Sequence, residues 1–392
     1  MAVKNLKNIA IIGGGPGGLM LGLLIQRLGY NYTIFEKGNP HDNHKRGGSL
    51  DIHSDTGQLP IKKADIYDEF MSYARFEGED TRVIGADGTI YYEEDSEGEG
   101  GRPEIDRGEL CDIIMKQIDS HRLKYGYEFD SLIQHSTQDI EIIFTNGESE
   151  HFDLVVGSDG SFSTLRTNLS DVKVEYSGIS MIEINIDDVK NQHPELSEYN
   201  KNGKMMALGG NQALLAQLNG DGRIKVYVSY RMDIDKLDTY KFMTMSELKE
   251  QLVLDFSSWD IQLQEYIKNM TDDVLFRRIY KLPIGFKWQH KQAITLIGDA
   301  AHLMSPFAGE GVNMALYDAF ILARALENYE EIDEALYAYE QEMYQISSTS
   351  AQASQDNLEL MFSEDAAKKL GEFFKNWCIV EILIFKRTAL GL

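Results

Sequence analysis

The chain has 392 residues, 43% of them apolar and 26% charged, the balance of an ordinary soluble globular protein long enough for two or three structural units. Lys and Arg number 38 against 63 Asp and Glu, a formal charge of −25 with no basic patch, so DNA or RNA would be repelled. Two cysteines, Cys111 and Cys378, are too few for a disulfide framework or a four-ligand zinc site and fit a reducing cytoplasm, and no apolar run reaches the roughly 18 residues of a membrane span.

In chain order, an apolar strand is expected at Ile9–Ile12, then a glycine turn, a helix over 17–28 and a second strand at 32–35. The polar, glycine-rich stretch 38–57 predicts a long loop. A hairpin is expected over 83–92 around Ala86-Asp87-Gly88. A solvated acidic loop over 93–101 and a helix over 109–118 follow. Residues 139–144 and 151–156 alternate around Asn146-Gly147, a second hairpin signal. From about 172 to 284 strands dominate, with one amphipathic helix near 245–256, which predicts a separate antiparallel layer. A buried strand returns at 293–297, followed by helices over about 312–326, 332–348 and 366–384.

Gly13-Gly14-Gly15-Pro16-Gly17-Gly18 matches G-x-G-x-x-G through Gly13, Gly15 and Gly18, directly between a strand and a helix. Gly13 allows the tight turn, Gly15 admits a pyrophosphate against the backbone, and Gly18 lets helix and strand pack closely. The helix N-terminus supplies N–H donors and a partial positive charge, so an acidic protein can still hold an anionic ligand locally. Glu36 ends the second strand and can accept hydrogen bonds from ribose hydroxyls. It would repel a 2′-phosphate, so FAD or NAD is expected at this loop rather than NADP.

Two further segments have the look of ligand loops. Asp153-Leu154-Val155-Val156-Gly157-Ser158-Asp159-Gly160-Ser161 runs on through Ser163 to Arg166, a strand entering an Asp-Gly turn. Gly298-Asp299-Ala300-Ala301-His302 ends another buried strand and leads to Pro306-Phe307-Ala308-Gly309-Glu310-Gly311-Val312-Asn313. Asp299 could accept from a ribityl hydroxyl. Gly309 and Gly311 would let a helix N-terminus approach a flavin ring, its dipole favouring a reduced, anionic ring.

These three motifs, in this order, resemble the group A FAD-dependent aromatic hydroxylases of the para-hydroxybenzoate hydroxylase type. Residues 13–18 with Glu36 resemble the family's FAD-adenosine motif, and 153–166 its D-G motif, associated with both FAD and NAD(P)H. Residues 298–313 resemble its G-D motif at the ribityl chain and isoalloxazine, and Arg107 stands where the family has an FAD-contacting arginine. Within that family, Arg46-Gly47-Gly48-Ser49-Leu50-Asp51-Ile52-His53 is similar to the flavin-side loop of the Tet(X)-type tetracycline-inactivating monooxygenases.

The resemblance implies an α/β fold. A Rossmann-type FAD domain would be built from 1–171 and 285–364, an antiparallel β-sheet substrate domain over 172–284 would be inserted in it, and a C-terminal bridging helix would span 365–392. It implies Gly13, Gly15, Pro16, Gly17, Gly18, Glu36, Lys37, Arg46, Gly47, Asp51, Arg107, Asp159, Asp299, Pro306, Gly309, Gly311, Val312 and Asn313 as FAD contacts. It also implies NADPH or NADH as reductant, and hydroxylation of an aromatic or polycyclic enol or phenol by O2 through a C4a-hydroperoxyflavin.

The chemistry belongs to the cofactor, so no nucleophile triad is needed and none is evident; the protein must orient substrate and exclude water. Substrate contacts are expected at His193, Met206, Gln212, Lys225 and Phe307, with the site against the β layer. By rough alignment, His193, Gln212 and Lys225 stand where the tetracycline enzymes carry Gln, Arg and His, and Glu310 replaces a Gln, so tetracycline is one candidate among several. His302 reads as a structural residue. The expected partners are a small aromatic or polyketide molecule and O2, with the chain a cytoplasmic monomer without stable membrane insertion.

Two rivals remain at this level. One is a flavin reductase or dehydrogenase of the geranylgeranyl-reductase type; the other is a flavoprotein that sequesters a drug without turnover. A halogenase is disfavoured because no W-x-W-x-I-P segment exists; Trp259, Trp288 and Trp377 are isolated.

Overall fold

The computed structural model describes residues 3, 6–40, 48–95 and 101–376. The chain opens with β1 (Ile9–Ile12), α1 (Pro16–Arg27) and β2 (Tyr32–Glu36), followed by β3 (Ser49–Asp51), α2 (Gln58–Lys63) and α3 (Tyr67–Tyr73). A hairpin of β4 (Thr81–Gly85) and β5 (Ile90–Glu94) comes next. Then come β6 (Glu104–Asp106), α4 (Arg107–Met115), β7 (Leu123–Tyr125), β8 (Phe129–Ser136), β9 (Asp139–Phe144), β10 (Ser149–Phe152) and β11 (Leu154–Gly157). The middle stretch holds β12 (Glu175–Ile186), α5 (Val189–Gln192), α6 (Pro194–Asn200), β13 (Lys204–Gly209), β14 (Gln212–Leu218) and β15 (Ile224–Arg231). It continues through α7 (Lys236–Lys241), α8 (Met245–Asp255), α9 (Ile261–Lys268) and β16 (Leu275–Lys281). The last elements are β17 (Ile294–Leu296), α10 (Asp299–His302), α11 (Gly311–Asn328) and α12 (Ile332–Met361).

Two compact units result. The first comprises Met1–Ala74, Gly101–Glu175 and Tyr280–Gln355; the second comprises Arg75–Gly100, Tyr176–Ile279 and Asp356–Leu392.

The first unit is built on a sheet of order β17-β11-β1-β2-β7, with its pairings parallel. Ile9 pairs with Leu154 on one side and Tyr32 on the other. β1, β11 and β17 are buried on both faces, which is why they read as unbroken apolar runs rather than as alternating strands. α1 lies against α11 so closely that a Cβ on Gly17 would stand 3.0 Å from the Ala315 carbonyl oxygen. Cys111 is buried in this core, and burial pushes its thiol up to about 12, so it behaves as a small hydrophobe. Cys378 lies outside the described residues.

The second hairpin expectation divides in this unit. β9 and β10 pair antiparallel across Asn146-Gly147, with Gly147 at φ +84°, within a three-stranded sheet of order β10-β9-β8. Residues 154–157 leave that pairing and join the parallel sheet as β11. The cause is burial: Leu154, Val155 and Val156 are shielded on both faces, whereas β10 has one wet face.

The second unit carries a seven-stranded sheet of order β16-β12-β15-β14-β13-β4-β5. β12, β15, β14 and β13 pair antiparallel in turn, while β4 joins β13 in parallel, Val83 opposite Met206. The hairpin of residues 81–94, expected within the first domain, therefore belongs to this sheet. In the same unit Tyr92 meets Phe374 at 5.2 Å between ring centroids.

One face of the sheet presents Ile182, Ile184, Met205, Ala207, Leu214, Ala216, Val226 and Val228, and it is covered by α8 and α9 through Leu248, Leu252, Phe256, Leu263, Tyr266 and Ile267. Burying that face removes most of its apolar area from water, the dominant stabilising term in such a layer. Five helices occupy the stretch where one was expected. The short ones were hidden because two or three apolar residues, such as Leu263, Tyr266 and Ile267 in α9, suffice to dock a turn or two of helix. Residues 366–376 are helical, as expected for the start of the last segment, and residues 377–392 lie outside the description. Among the described residues no helix is long and apolar enough to cross a membrane.

Candidate functional site

The glycine loop sits where β1 hands over to α1. Gly13 has φ +114°, and a Cβ there would lie 2.1 Å from the Ser158 carbonyl oxygen. A Cβ on Gly18 would lie 2.1 Å from the Gly13 carbonyl oxygen. Both glycines are thus demanded by the fold itself. Gly15 differs: the nearest atom to a Cβ there is Arg107 Nη2 at 3.6 Å, so its bareness leaves room beside a guanidinium. Gly15 is the N-cap of α1, Pro16 opens the helix, and no side chain caps the end, which leaves its first amides as donors for an anion.

Glu36 closes β2 with its carboxylate held from two sides. Oε2 accepts from the Gly14 amide and Oε1 from the Gly38 amide, each at 2.8 Å. Carboxylate oxygens have further lone pairs, so the group stays fixed while able to accept from ligand hydroxyls. Lys37 stands apart in role: its exposed ammonium lies 3.7 Å from Glu128. Arg107, the first residue of α4, has a buried Nε with no hydrogen-bond partner. Arg46 and Gly47 lie outside the described residues.

The Asp-Gly loop after β11 is tied to the segment after β17. Asp159 Oδ2 accepts from the Leu165 amide at 3.2 Å, while its Oδ1 is buried without a partner. Burial raises this carboxyl, opposed by hydrogen bonds from Ser163 and from backbone amides. Arg166 donates to the carbonyls of Ser161 at 2.9 Å and Ala300 at 3.0 Å, bracing the two loops. Asp299 Oδ2 accepts from the Ser161 hydroxyl at 3.1 Å.

Asn313 is the hub of the third segment. Its Oδ1 accepts from the His53 amide at 2.9 Å, and its Nδ2 donates to the carbonyls of Asp51 at 2.9 Å and Gly309 at 3.2 Å. The end of β3 is thereby fixed to the turn Pro306–Ala308 and to the start of α11, where Gly311 and Val312 lie. Gly309 has φ +67°, and a Cβ on it would approach Asp51 Oδ1 to 3.2 Å. Glu310 is the N-cap of α11, which also lacks a side-chain cap. Phe307 is half-buried in the turn. The buried His53 ring lies between two carboxylates, with Nε2 3.5 Å from Asp51 Oδ2.

Three buried polar atoms, Arg107 Nε, Asp159 Oδ1 and His53 Nε2, thus lack hydrogen-bond partners on the segments that the motifs singled out. Buried polar groups are normally satisfied, and although other orphans occur elsewhere in the chain, such as Arg122 Nε and Asn219 Oδ1, these three can serve a ligand with many donors and acceptors. Together with the uncapped α1, the bare Gly15 and the held Glu36, they suit the diphosphate, ribose and ribityl groups of FAD.

The proposed substrate residues of the second unit do not share one face of its sheet. Strand register sets Met206 opposite Leu215, Leu215 opposite Tyr227, and Tyr227 opposite Glu183; Lys225 shares this face, opposite Gln217 and Asn185. Gln212 pairs with Tyr230, on the helix-covered face, and its amide donates to the Asp255 carbonyl. His193 is the junction of α5 and α6, whose Val189 and Leu196 pack into that same helix-side core. Lys225 is itself buried, its ammonium 2.6 Å from Glu183 Oε1, and Glu183 Oε2 also accepts from Arg277 Nε at 2.6 Å. Of these sheet positions only Met206 remains half-buried on the face away from the helices with no ionic commitment.

Two functional-looking pairs escaped sequence reasoning. Glu183 gave no signal, since it lies in an apolar strand next to a sequence-distant lysine. Asp318 did give one: it is an acid in the middle of the largely apolar α11, whose other acid, Glu327, lies at its end. It accepts from the Gly298 amide at 2.7 Å and from His302 Nε2 at 2.6 Å. His302 is accordingly structural, as expected.

Known proteins fit this geometry. Residues 7–354 match the family described as FAD binding domain. A monooxygenase of Emericella nidulans, asqM, is 26% identical over 92% of this chain and 96% of its own. A putative FAD-containing monooxygenase from Photorhabdus luminescens superposes with a TM-score of 0.78 at 22% identity, covering 91% of this chain and 98% of that one. The tetracycline destructase Tet(51) superposes with a TM-score of 0.69 at 22% identity, covering 99% and 98%. With the motif match running through nearly the whole described chain, this protein belongs to the FAD binding domain family.

Proposed function

We propose that the chain is an FAD-dependent monooxygenase that hydroxylates an electron-rich aromatic or polyketide substrate, with NADPH or NADH as electron donor. The net reaction is substrate–H + O2 + NAD(P)H + H+ → substrate–OH + H2O + NAD(P)+. The observation that carries the reading is the first unit's set of loops: an uncapped α1 at Gly15, Glu36 held by two amides, and Asn313 tying Asp51 to the Gly309 turn. Two of the names reported above point the same way: asqM is a monooxygenase, and the Photorhabdus luminescens protein is described as a putative FAD-containing one.

Bound FAD would supply the electron transfer and the activation of O2. The chain's residues supply the rest. The amides of Gly15, Gly17 and Gly18 and the Arg107 guanidinium would hold the diphosphate, Glu36 the adenosine ribose, and Asp299 and Asp159 the ribityl side. The start of α11, with Gly311 and Val312, would offer its positive end to the flavin ring, and Pro306 and Phe307 would give an apolar edge that excludes water. Of the sheet residues, we assign substrate contact to Met206, which is half-buried and has no ionic partner. Hydroxylation of a phenol or enol needs no protein nucleophile.

A reductase would use the same loops, but the monooxygenase relatives favour oxygen insertion. A monomer acting on a dissolved small molecule in the cytoplasm completes the reading. The test is mass spectrometry of tetracyclines and of simple phenols after incubation with the purified yellow protein, NADPH or NADH, and air. A gain of one oxygen on either class supports the proposal and tells polyketide from phenol. Reductant-driven peroxide release with every substrate unchanged would overturn it.

A further inference from the structure

We propose that His135, Glu141 and His151 form a surface site for a divalent transition-metal ion of the zinc class. The three come from three neighbouring strands, β8, β9 and β10, and are the one group of three such side chains among the described residues whose ligand atoms lie within 4.8 Å of one another. Strand alternation puts them together. Ile140, Ile142 and Phe144 of β9 point into the core, so Asp139 and Glu141 point out. His151 stands directly opposite Glu141. The register of β8 against β9 shifts between Gln134 and Ser136, and a bulge of this kind re-aims the intervening side chain. His135 Nε2 accordingly reaches Glu141 Oε2 at 3.0 Å.

The cluster has supports of the kind that orient metal ligands. His151 Nδ1 is 2.7 Å from Asp139 Oδ1; a carboxylate there accepts the Nδ1 proton and leaves the Nε2 lone pair free to bind. Ser149 Oγ donates to Glu141 Oε1 at 2.8 Å, leaving Oε2 on the side of His135. The two imidazoles are stacked, 5.6 Å between centroids and 19° between planes. Zinc bound tetrahedrally at about 2.0–2.1 Å has donor atoms roughly 3.3 Å apart, so side-chain torsions alone would close the triad. Two imidazoles and one carboxylate select zinc, copper or nickel over magnesium or calcium, which prefer all-oxygen sets. A water would complete the coordination. The surrounding charge of −25 favours any cation nearby. Such an ion would staple three strands of a sheet that is apart from the glycine loop, so the site is independent of the monooxygenase reading.

The test is calorimetric titration of ZnCl2 into the tag-free, FAD-loaded full chain, with MgCl2 as a parallel arm. One saturable equivalent of zinc, a rise in thermal midpoint, and no response to magnesium are expected. The His135→Ala/His151→Ala double variant should lose the binding while keeping its FAD content. Asp139→Asn should keep the stoichiometry and weaken affinity by about 10–100-fold, because it removes only the orienting carboxylate. Zinc heats that are equal in parent and double variant, no saturable zinc binding, or an equal magnesium response would each overturn the site.

Discussion

His53 Nδ1 lies 3.6 Å from Glu310 Oε1, a histidine and a carboxylate facing each other at the mouth of α11. Burial raises the Glu310 carboxyl; His53 and Arg102 oppose the rise, and Asp55 and Asp51 add to it. In the unfolded chain this group loses its proton near 4.5, and in the folded chain it does so higher. Between those values the folded state holds the extra proton, so stability falls as pH rises through that window. Glu310→Gln removes the penalty. Its thermal midpoint relative to the parent should therefore rise from pH 4 to pH 7 (roughly the span of a raised carboxyl). A difference between the two proteins that stays flat with pH would refute the burial argument.

The glycine loop predicts a split between folding and cofactor binding. Gly13→Ala and Gly18→Ala push a Cβ within 2.1 Å of backbone oxygens and should cost the fold itself, seen as insoluble protein or a much lower melting temperature. A Cβ on Gly15 would meet nothing nearer than Arg107 Nη2 at 3.6 Å, so Gly15→Leu apoprotein should keep its circular dichroism and midpoint. It should nonetheless bind FAD at least tenfold more weakly, about 1.4 kcal/mol, because the side chain occupies the space before the α1 amides. Gly15→Leu protein that remains fully yellow would remove that loop from the cofactor site.

The contrast between these glycines shows what a sequence can carry. The work of Gly13 and Gly18 is local, a turn and a helix–strand approach within a few residues, and spacing alone reveals it. The parallel pairing of β1 with β2 and β11 follows from apolar runs that can only be buried on both faces. Strand phase in the second unit is different. Gln212 and Lys225 sit in consecutive strands, and a one-residue step in phase decides which face each side chain takes. Both faces contain apolar residues there, so hydropathy does not fix the phase, and Gln212 turned out to donate to Asp255 beneath the helices. The placement of the β4–β5 hairpin depends on Val83 meeting Met206, a pairing no local pattern encodes.

Lys225 should prove structural. Burial works to raise the Glu183 carboxyl, but Lys225 and Arg277 outweigh it and hold the group below its usual range. A depressed carboxyl stabilises the fold above its unfolded value, and that contribution is lost as pH falls through the lower, folded value. Lys225→Met leaves a buried Glu183 with Arg277 as its charged neighbour and should destabilise by about 3–5 kcal/mol in urea denaturation. Glu183→Leu/Lys225→Met should recover much of the loss, since the one charge left without its partner, Arg277, is 40% exposed and can be hydrated. A Lys225→Met protein as stable as its parent would return the residue to the substrate contacts.

Asp318 connects stability to the cofactor loop. For His302 burial disfavours the charged ring, yet the charge and hydrogen bond of Asp318 overcome it and the net shift is upward from 6.5. A raised histidine contributes its full stabilisation below the unfolded value and loses it as pH rises through the folded one. The parent should therefore weaken as pH climbs above 6.5, whereas Asp318→Asn, which keeps a polar group but removes the charge, should be less stable by about 1–3 kcal/mol at pH 6 and converge on the parent at high pH. Because the same carboxylate oxygen holds the Gly298 amide one residue before Asp299, the variant should also release FAD more readily at every pH. Loss of stability without loss of FAD affinity would confine Asp318 to the histidine, and separate it from the positioning of the Gly298–Asp299 turn.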